Sequence, residues 1–454
     1  MDLTRGPVLK SLLIFAIPII LTNLLQQLYH TADMVVVGNW ASDPTAALAA
    51  VGATTSVTGL CLNLFVGLAV GVNVVCAKLY GAKQEKELSR AMHTSVYLAA
   101  LCGVGIGVFG FLCSRVILEW IGTPPDVLDD ATLYMQIVFL GQPGSLVYNF
   151  GASILRAHGD TKRPMRILMT TGLINVFLNL LLVVVFSLDA AGVALATAVS
   201  NYLSAAAILW ILFSPRGEYG LRFSRIRLEK ETREIAAVGI PSGLNSIMFS
   251  VPKVIIVTAL NTLGATALAA DSSSHNVETL LYQIIAGFCA ACVSFVGQNR
   301  GAERYDRIDR LWRSAVTFTT VFYVAVGIVL CPFAKSVMML FSDDGAVLTL
   351  GAVRIYIICC TYALYAFPEI CIAFLRGIGK AGVSSALNVL CVCLPRVVWI
   401  LCVFFTFRTG DVVFDYALLV FCYPISWALS GIAQFLCYRY YRKRLCHEKR
   451  LCVK

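Results

Sequence analysis

Twelve apolar runs constrain this chain more than any other feature, at 9–37, 45–76, 93–117, 128–155, 164–187, 190–213, 234–262, 266–297, 312–333, 347–375, 383–407 and 412–438. Each exceeds the ~20 residues a helix needs to cross the hydrocarbon core of a bilayer. In lipid every backbone polar group must be paired within the protein, so such runs are helices or strands of a closed barrel. These are unbroken rather than alternating with period two, which excludes the barrel. The expected fold is an all-α polytopic membrane protein with twelve transmembrane helices. Runs 45–76 and 266–297 are long enough to be read as broken helices, giving a range of eleven to thirteen spans. The first run is no cleavable signal: it is too long, and no small-residue site closes it.

Charge agrees with this reading. Only 14% of residues are charged, against about 25% in soluble domains, which leaves too little to cover a water-facing surface. A cytosolic enzyme, a nucleic-acid-binding protein and a disordered chain are excluded. The net charge of +10 follows from topology instead. With the N-terminus assigned to the cytoplasm, 30 of the 36 lysines and arginines fall on that side. Arg115, Lys335, Arg354 and Arg408 are left for the outer loops, and Lys253 and Arg396 lie inside spans. This asymmetry is the positive-inside rule. It predicts a multi-pass protein of a bacterial plasma (inner) membrane, both termini cytoplasmic. The 17 cysteines form no secreted disulfide framework, since most lie in apolar runs, as in Cys359-Cys360 and Cys391-x-Cys393, with Cys446 and Cys452 in the basic tail. Cys289-x-x-Cys292 has redox or zinc spacing but no second ligand pair, and reads as packing.

The chain also repeats. Leu79-Tyr80-Gly81-Ala82 with Arg90 is echoed by Asn299-Arg300-Gly301-Ala302 with Arg310, Ala47–Ala50 by Ala267–Ala270, and Leu155-Arg156 by Leu375-Arg376, all at an offset of 220. Ile17-Pro18 and Ile240-Pro241 match at 223. Two six-helix lobes result, an N-terminal one over 1–213 and a C-terminal one over 234–438, joined by a linker at 214–233 and followed by a basic tail at 439–454. Six spans is an even number, so both lobes enter from one side and are related by a pseudo-two-fold along the membrane normal. No nucleotide-binding loop or zinc-protease motif is present. Energy for transport would come from an ion gradient or another subunit.

Charges inside spans are costly and are functional candidates by default. Asp33 lies late in the first run, after Gln26, Gln27, Tyr29 and His30; Glu278 and Glu369 lie in the eighth and tenth, and Lys253 and Arg396 are the cations. Asp271 and Asp415 fall nearer span ends. Asn175 and Asn179, four residues apart, share a helix face. Thr197 follows Val193 by one turn. A carboxylate, amide oxygens, a hydroxyl and the Val193 carbonyl are hard ligands suited to a small cation, and Asp33 can equally carry a proton. The competing reading is that Asn175 and Asn179 only bond helix to helix.

Six segments together resemble the multidrug and toxic compound extrusion (MATE) family, in its DinF-like branch, over essentially the whole chain. They are Leu24–Gly38, Ala77–Ala82, Ser153–Lys162, Asn276-Val277-Glu278, Val296–Ala302 and Leu375–Lys380. The resemblance implies a V-shaped pair of lobes exporting amphipathic or cationic organic compounds in exchange for Na⁺ or H⁺. It also implies a cation site at Asp33, Asn175, Asn179 and Thr197. Some members of the family have a carboxylate where Asn179 stands, and a span-seven glutamate of other branches is replaced here by Ser250-Val251-Pro252-Lys253. Lys253 is expected to pair with Glu278 or Glu369, or to snorkel. With Gln26, Tyr29 and Arg396, these groups are candidates for the substrate cavity or a second polar site. Tyr29, Phe65, Tyr148, Phe249, Tyr282 and Tyr365 offer aromatic faces, and Pro18, Pro241 and Pro368 are expected to bend or break helices.

The partners expected are a small organic substrate and the bilayer, with no nucleic acid, no cofactor beyond the coupling ion, and a monomer as the unit. The alternative is a flippase for a lipid-linked precursor.

Overall fold

The computed structural model describes residues 1–214, 219–248 and 250–452; Phe249, linker residues 215–218 and the side chains of Cys446 and Cys452 lie outside the description. Twelve membrane-length helices follow one another: α1 Val8–Trp40, α2 Pro44–Gly81, α3 Glu85–Trp120, α4 Pro125–Ala157, α5 Lys162–Val185, α6 Asp189–Phe213, α7 Glu231–Asn261, α8 Ala265–Gly301, α9 Tyr305–Met338, α10 Gly345–Gly377, α11 Ala381–Phe407 and α12 Val412–Leu445. No strand occurs among the described residues. Among the described residues, eleven of the twelve contain a stretch long and apolar enough to cross a membrane. The exception, α4, carries Gln136, Gln142, Pro143 and Asn149 in its central stretch. It packs closely on α2, α3 and α6, and Gln142 is buried there.

The two longest runs are not broken. The helices that contain them, α2 and α8, are continuous over 38 and 37 residues, about 55 Å at 1.5 Å per residue, well beyond the ~30 Å hydrocarbon core. Nor do the prolines break their helices: Pro18 and Pro368 sit inside uninterrupted α1 and α10, and Pro241 inside Glu231–Met248 of α7. A proline is tolerated inside a membrane helix because neighbouring groups can serve the carbonyl it leaves unpaired four residues earlier. At one end of the molecule aspartates cap helices. Asp43 accepts from the Ala46 N–H on α2, Asp344 from Ala346 on α10 and Asp411 from Val413 on α12, each satisfying a first-turn donor.

Two apolar cores form. One runs from Val36 to Ile235 through α2, α3, α4 and α6. The other holds α8, α9, α10 and α12, and also takes Leu12, Phe15, Ala16 and Ile19 from the first half of α1. The lobes therefore meet along α1 with α8 and α2 with α7 and α8. The repeat is visible in atoms at this seam. A Cβ added to Gly81 would overlap the Gln298 carbonyl, and one on Gly301 would overlap the Lys78 carbonyl; both residues of the second pair lie 220 positions from their counterparts in the first. Thus α2 and α8 cross reciprocally at the end that carries both termini, labelled the inner end on the expectation that both termini are cytoplasmic. The turns just beyond hold Lys83 (φ 57°) and Glu303 (φ 54°), again 220 apart, in the same left-handed conformation.

Candidate functional site

On α1 the side chain of Asp33 reaches α5, where Asn179 Nδ2 donates to its Oδ1 at 2.5 Å. The same amide donates to Asn175 Oδ1 at 3.3 Å, and Asn175 Nδ2 donates to Thr197 Oγ1 of α6 at 3.2 Å. Thr197 also lies close to Asp33. The four residues thus form one polar chain through three helices. Asn175 and Asn179 meet because residues four apart lie one above the other on a helix. Asn179 is fully buried, and its Oδ1 has no hydrogen-bond partner. Asp33 pairs with no lysine or arginine among the described residues. A buried acceptor and an unpaired carboxylate each carry a cost unless a donor or cation fills the gap. The oxygens of Asp33, Asn179, Asn175 and Thr197 match the donor set of a small hard cation. Val193, one turn before Thr197, is buried in the N-terminal core. Two residues past Asn179, α5 widens into a π turn over Leu181–Val185, a distortion frequent beside functional groups. Sequence reasoning missed Tyr134 of α4, which stands close enough to feel the Asp33 charge; nothing in the sequence separates it from other tyrosines in spans.

Below this site α1 turns to the other lobe. Asn23 Nδ2 donates to the Gln283 carbonyl at 3.4 Å, and Gln283 Nε2 donates to Gln27 Oε1 at 3.5 Å. Among the described residues the polar contacts between lobes run from the inner end up to this pair and stop. Asp33 is six residues further along α1, about 9 Å at the helical rise, where the lobes no longer bond. Tyr29 donates to the Met169 carbonyl of α5 at 3.3 Å, within its own lobe. Gln26 is half-buried beside it.

The C-terminal candidates separate. Glu278 and Arg396 belong to one buried cluster, built around a residue that the sequence assigned to an outer loop. Arg354 is 1% exposed, nine residues into α10, and donates to Asp271 and to Glu278, the latter at 2.6 Å. The sequence misplaced it because the tenth apolar run starts only a few residues earlier, where water seemed within reach. Glu278 is therefore not a partner of Lys253. Lys253 is exposed on α7 and forms no ion pair with Glu369 either. Glu369 stands apart from the cluster, in the neighbourhood of Tyr365 and Arg376. Cys289 and Cys292 are buried free thiols, and no group of three metal-ligating side chains occurs among the described residues.

Comparison with known proteins gives a family and a fold. The MatE family model matches residues 18–181 and 241–400. The chain is 25% identical over 386 residues to the probable multidrug resistance protein YoeA of Bacillus subtilis (strain 168), covering 83% of this chain and 82% of that protein. To the probable multidrug resistance protein YpnP of the same strain it is 28% identical over 352 residues, covering 77% and 78%. A solved structure of a multidrug resistance MATE family transporter of the MOP superfamily, in its outward-facing conformation, superposes with a TM-score of 0.90 at 22% identity, covering 98% of each chain.

Proposed function

Because the chain belongs to the MatE family, whose members are transporters and not enzymes, we propose that it is a secondary active antiporter. It exports amphipathic or cationic organic compounds in exchange for Na⁺ or H⁺. The substrate class is carried over from relatives named as multidrug resistance proteins. The observation that carries the coupling is Asp33, a carboxylate in a membrane-spanning wall, without a cationic partner among the described residues and next to the open Oδ1 of Asn179. Asn175 and Thr197 complete the ligand set, with the Val193 carbonyl as a further oxygen one turn away.

A bare carboxylate is costly in an apolar wall. A cation or proton on Asp33 lowers that cost and favours the turn of the empty carrier, whereas outward movement carries the organic compound. Alternation between lobes then couples one flux to the other. Asp33 lies above the Gln27–Gln283 contact, on the side where the lobes part, so its ion arrives from outside. Both termini are read as cytoplasmic, in a bacterial plasma membrane, with a monomer as the working unit. Gln26, Tyr29, Lys253 and Glu369 are assigned to the substrate cavity. The flippase reading is not favoured, because the guanidiniums of Arg354 and Arg396 already have protein partners and are not free to hold a lipid phosphate.

Efflux from proteoliposomes under separately imposed Na⁺ and H⁺ gradients tests the reading. One gradient should drive efflux of an organic cation such as ethidium. Efflux indifferent to both gradients would sink the antiporter.

A further inference from the structure

The largest fully buried side chain among the described residues belongs to a charged residue, Arg354. Its Nη1 donates to Asp271 Oδ1 and its Nη2 to Glu278 Oε2 at 2.6 Å. Those two acids lie seven residues apart, two turns along α8 on one face, and the guanidinium bridges them. The Tyr416 hydroxyl donates to Asp271 Oδ1 at 3.4 Å, and His275 Nδ1 lies 3.4 Å from Glu278 Oε2. A second guanidinium completes the cluster: the Tyr423 ring of α12 lies 5.2 Å from Arg354 and 4.4 Å from Arg396, and Arg396 Nε donates to Ser426 Oγ at 3.0 Å. Two carboxylates and two guanidiniums sum to zero formal charge when His275 is neutral. A guanidinium does not lose its proton in a protein, so Arg354 and Arg396 stay cationic throughout.

Asp33 and the Asp271–Glu278 pair are therefore treated in opposite ways. In the first lobe, Asp33 has amides and a hydroxyl around it and no fixed cation. In the second, Asp271 and Glu278 have a cation supplied by the chain itself. The surroundings of Arg354 are otherwise those of an ion site, with two carboxylates, the Tyr416 hydroxyl and a small cavity lined by Ser274, Glu278, Leu281 and Arg354.

We propose that Arg354 is a tethered cation filling what would otherwise be a cation site of the C-terminal lobe, so that this lobe exchanges no ion and the protein takes up a single coupling ion per cycle. Arg354 is a positioning and specificity residue, not a ligand of the transported compound. A buried bidentate guanidinium between two acids cannot swing out without stranding both charges. The single-ion half rests on the Asp33 reading; the tethered-cation half does not.

Binding of ²²Na⁺ to the purified full-length protein decides it. Wild type should bind one equivalent and Asp33→Asn none. Arg354→Gln should gain an equivalent that disappears in Arg354→Gln/Glu278→Gln, and Arg354→Lys, which keeps the charge, should gain nothing. Binding that persists in Asp33→Asn and vanishes in Asp33→Asn/Glu278→Gln would overturn the proposal, and this pair serves even where Arg354→Gln fails to fold. A folded Arg354→Gln that gains no Na⁺ also overturns it. If wild type binds no Na⁺ at all, Na⁺ coupling at Asp33 falls, and the gain in Arg354→Gln still decides the tether.

Discussion

Asp33→Asn keeps the size of the side chain and can still meet Asn179, but it removes the charge that calls for a cation or proton. The variant should insert and elute as wild type does while gradient-driven efflux is abolished; proteoliposome transport beside size-exclusion chromatography checks both. Asn179→Ala removes a neutral ligand instead. A hydrogen bond or ligand contact to a charged group contributes about 1.5–3 kcal/mol, so Na⁺ affinity should fall roughly 10- to 100-fold, with proton-driven transport less affected because a proton needs no second ligand. On the proposed shared site Na⁺ and H⁺ compete for one carboxylate, so the apparent Na⁺ affinity should strengthen as pH rises and weaken as it falls. Titration of ²²Na⁺ binding across a pH series reads this directly, and a pH-independent affinity would rule out a shared site. That Asp33, Asn175, Asn179 and Thr197 meet was legible because polarity inside an apolar run has few innocent explanations, and a spacing of four fixes which two asparagines meet. Arg354 was not legible. Its cost of burial is met by Asp271 and Glu278, some 80 positions earlier, and no local pattern links the three. Tyr134 was hidden for the converse reason, since tyrosines are ordinary in spans.

Among the elements, run length and apolarity located all twelve helices, because in lipid the backbone has no other way to pair its polar groups. The same physics defeated the expectation of breaks. Glycine and proline interrupt helices in water, yet α2, α8 and α10 pass through theirs without interruption. The glycines of α2 and α8 serve instead to let backbones touch. Gly67 abuts the backbone of Gly243, and Gly287 that of Ile20, at positions the repeat relates by 220 and 223. The π turn that ends α5 at Leu181–Val185 has a counterpart near the end of α11 at Trp399–Phe404, although no residue preference announced either. Leucine at Gly81 or Gly301 would force a side chain into the opposite carbonyl and prevent the α2–α8 crossing. Each lobe keeps its own core, so Gly81→Leu should still insert while losing the closed inner end. Increased maleimide labelling of a cysteine placed at Lys86, on a cysteine-free background, is the expected sign; labelling unchanged from the parent would mean that the crossing is not the seal.

At the scale of the molecule the inner end is held by more than helix packing. The segment before α1 is drawn between the lobes: the Leu3 N–H donates to Gln298 Oε1 at 3.0 Å, and Gln298 Nε2 donates on to the Ala157 carbonyl at the end of α4 at 2.7 Å. Asn299 Nδ2 donates to the Leu3 carbonyl at 3.2 Å, and Arg307 donates to the carbonyls of Gly6, Arg5 and Leu3 at 2.8, 3.1 and 3.3 Å. One arginine of α9 thus grips three backbone carbonyls of the strap that leads into the first lobe. Separating α2 from α8, as inward opening demands, pulls this strap away from Arg307. Charge-assisted bonds of this kind contribute about 1.5–3 kcal/mol, so Arg307→Ala should raise the population open at the inner end by roughly one to two orders of magnitude relative to the closed form. Spin labels at Lys86 and Asp306, exposed residues of α3 and α9 that stand 220 apart on the two lobes, report the distance across this end. Wild type should give mainly the short distance, and Arg307→Ala a second, longer one whose share grows. A cross-link between cysteines at the same two positions should stop turnover in both proteins. Export at full rate through a cross-linked inner end would show that the lobes do not need to part there, and the strap would then be packing rather than a latch.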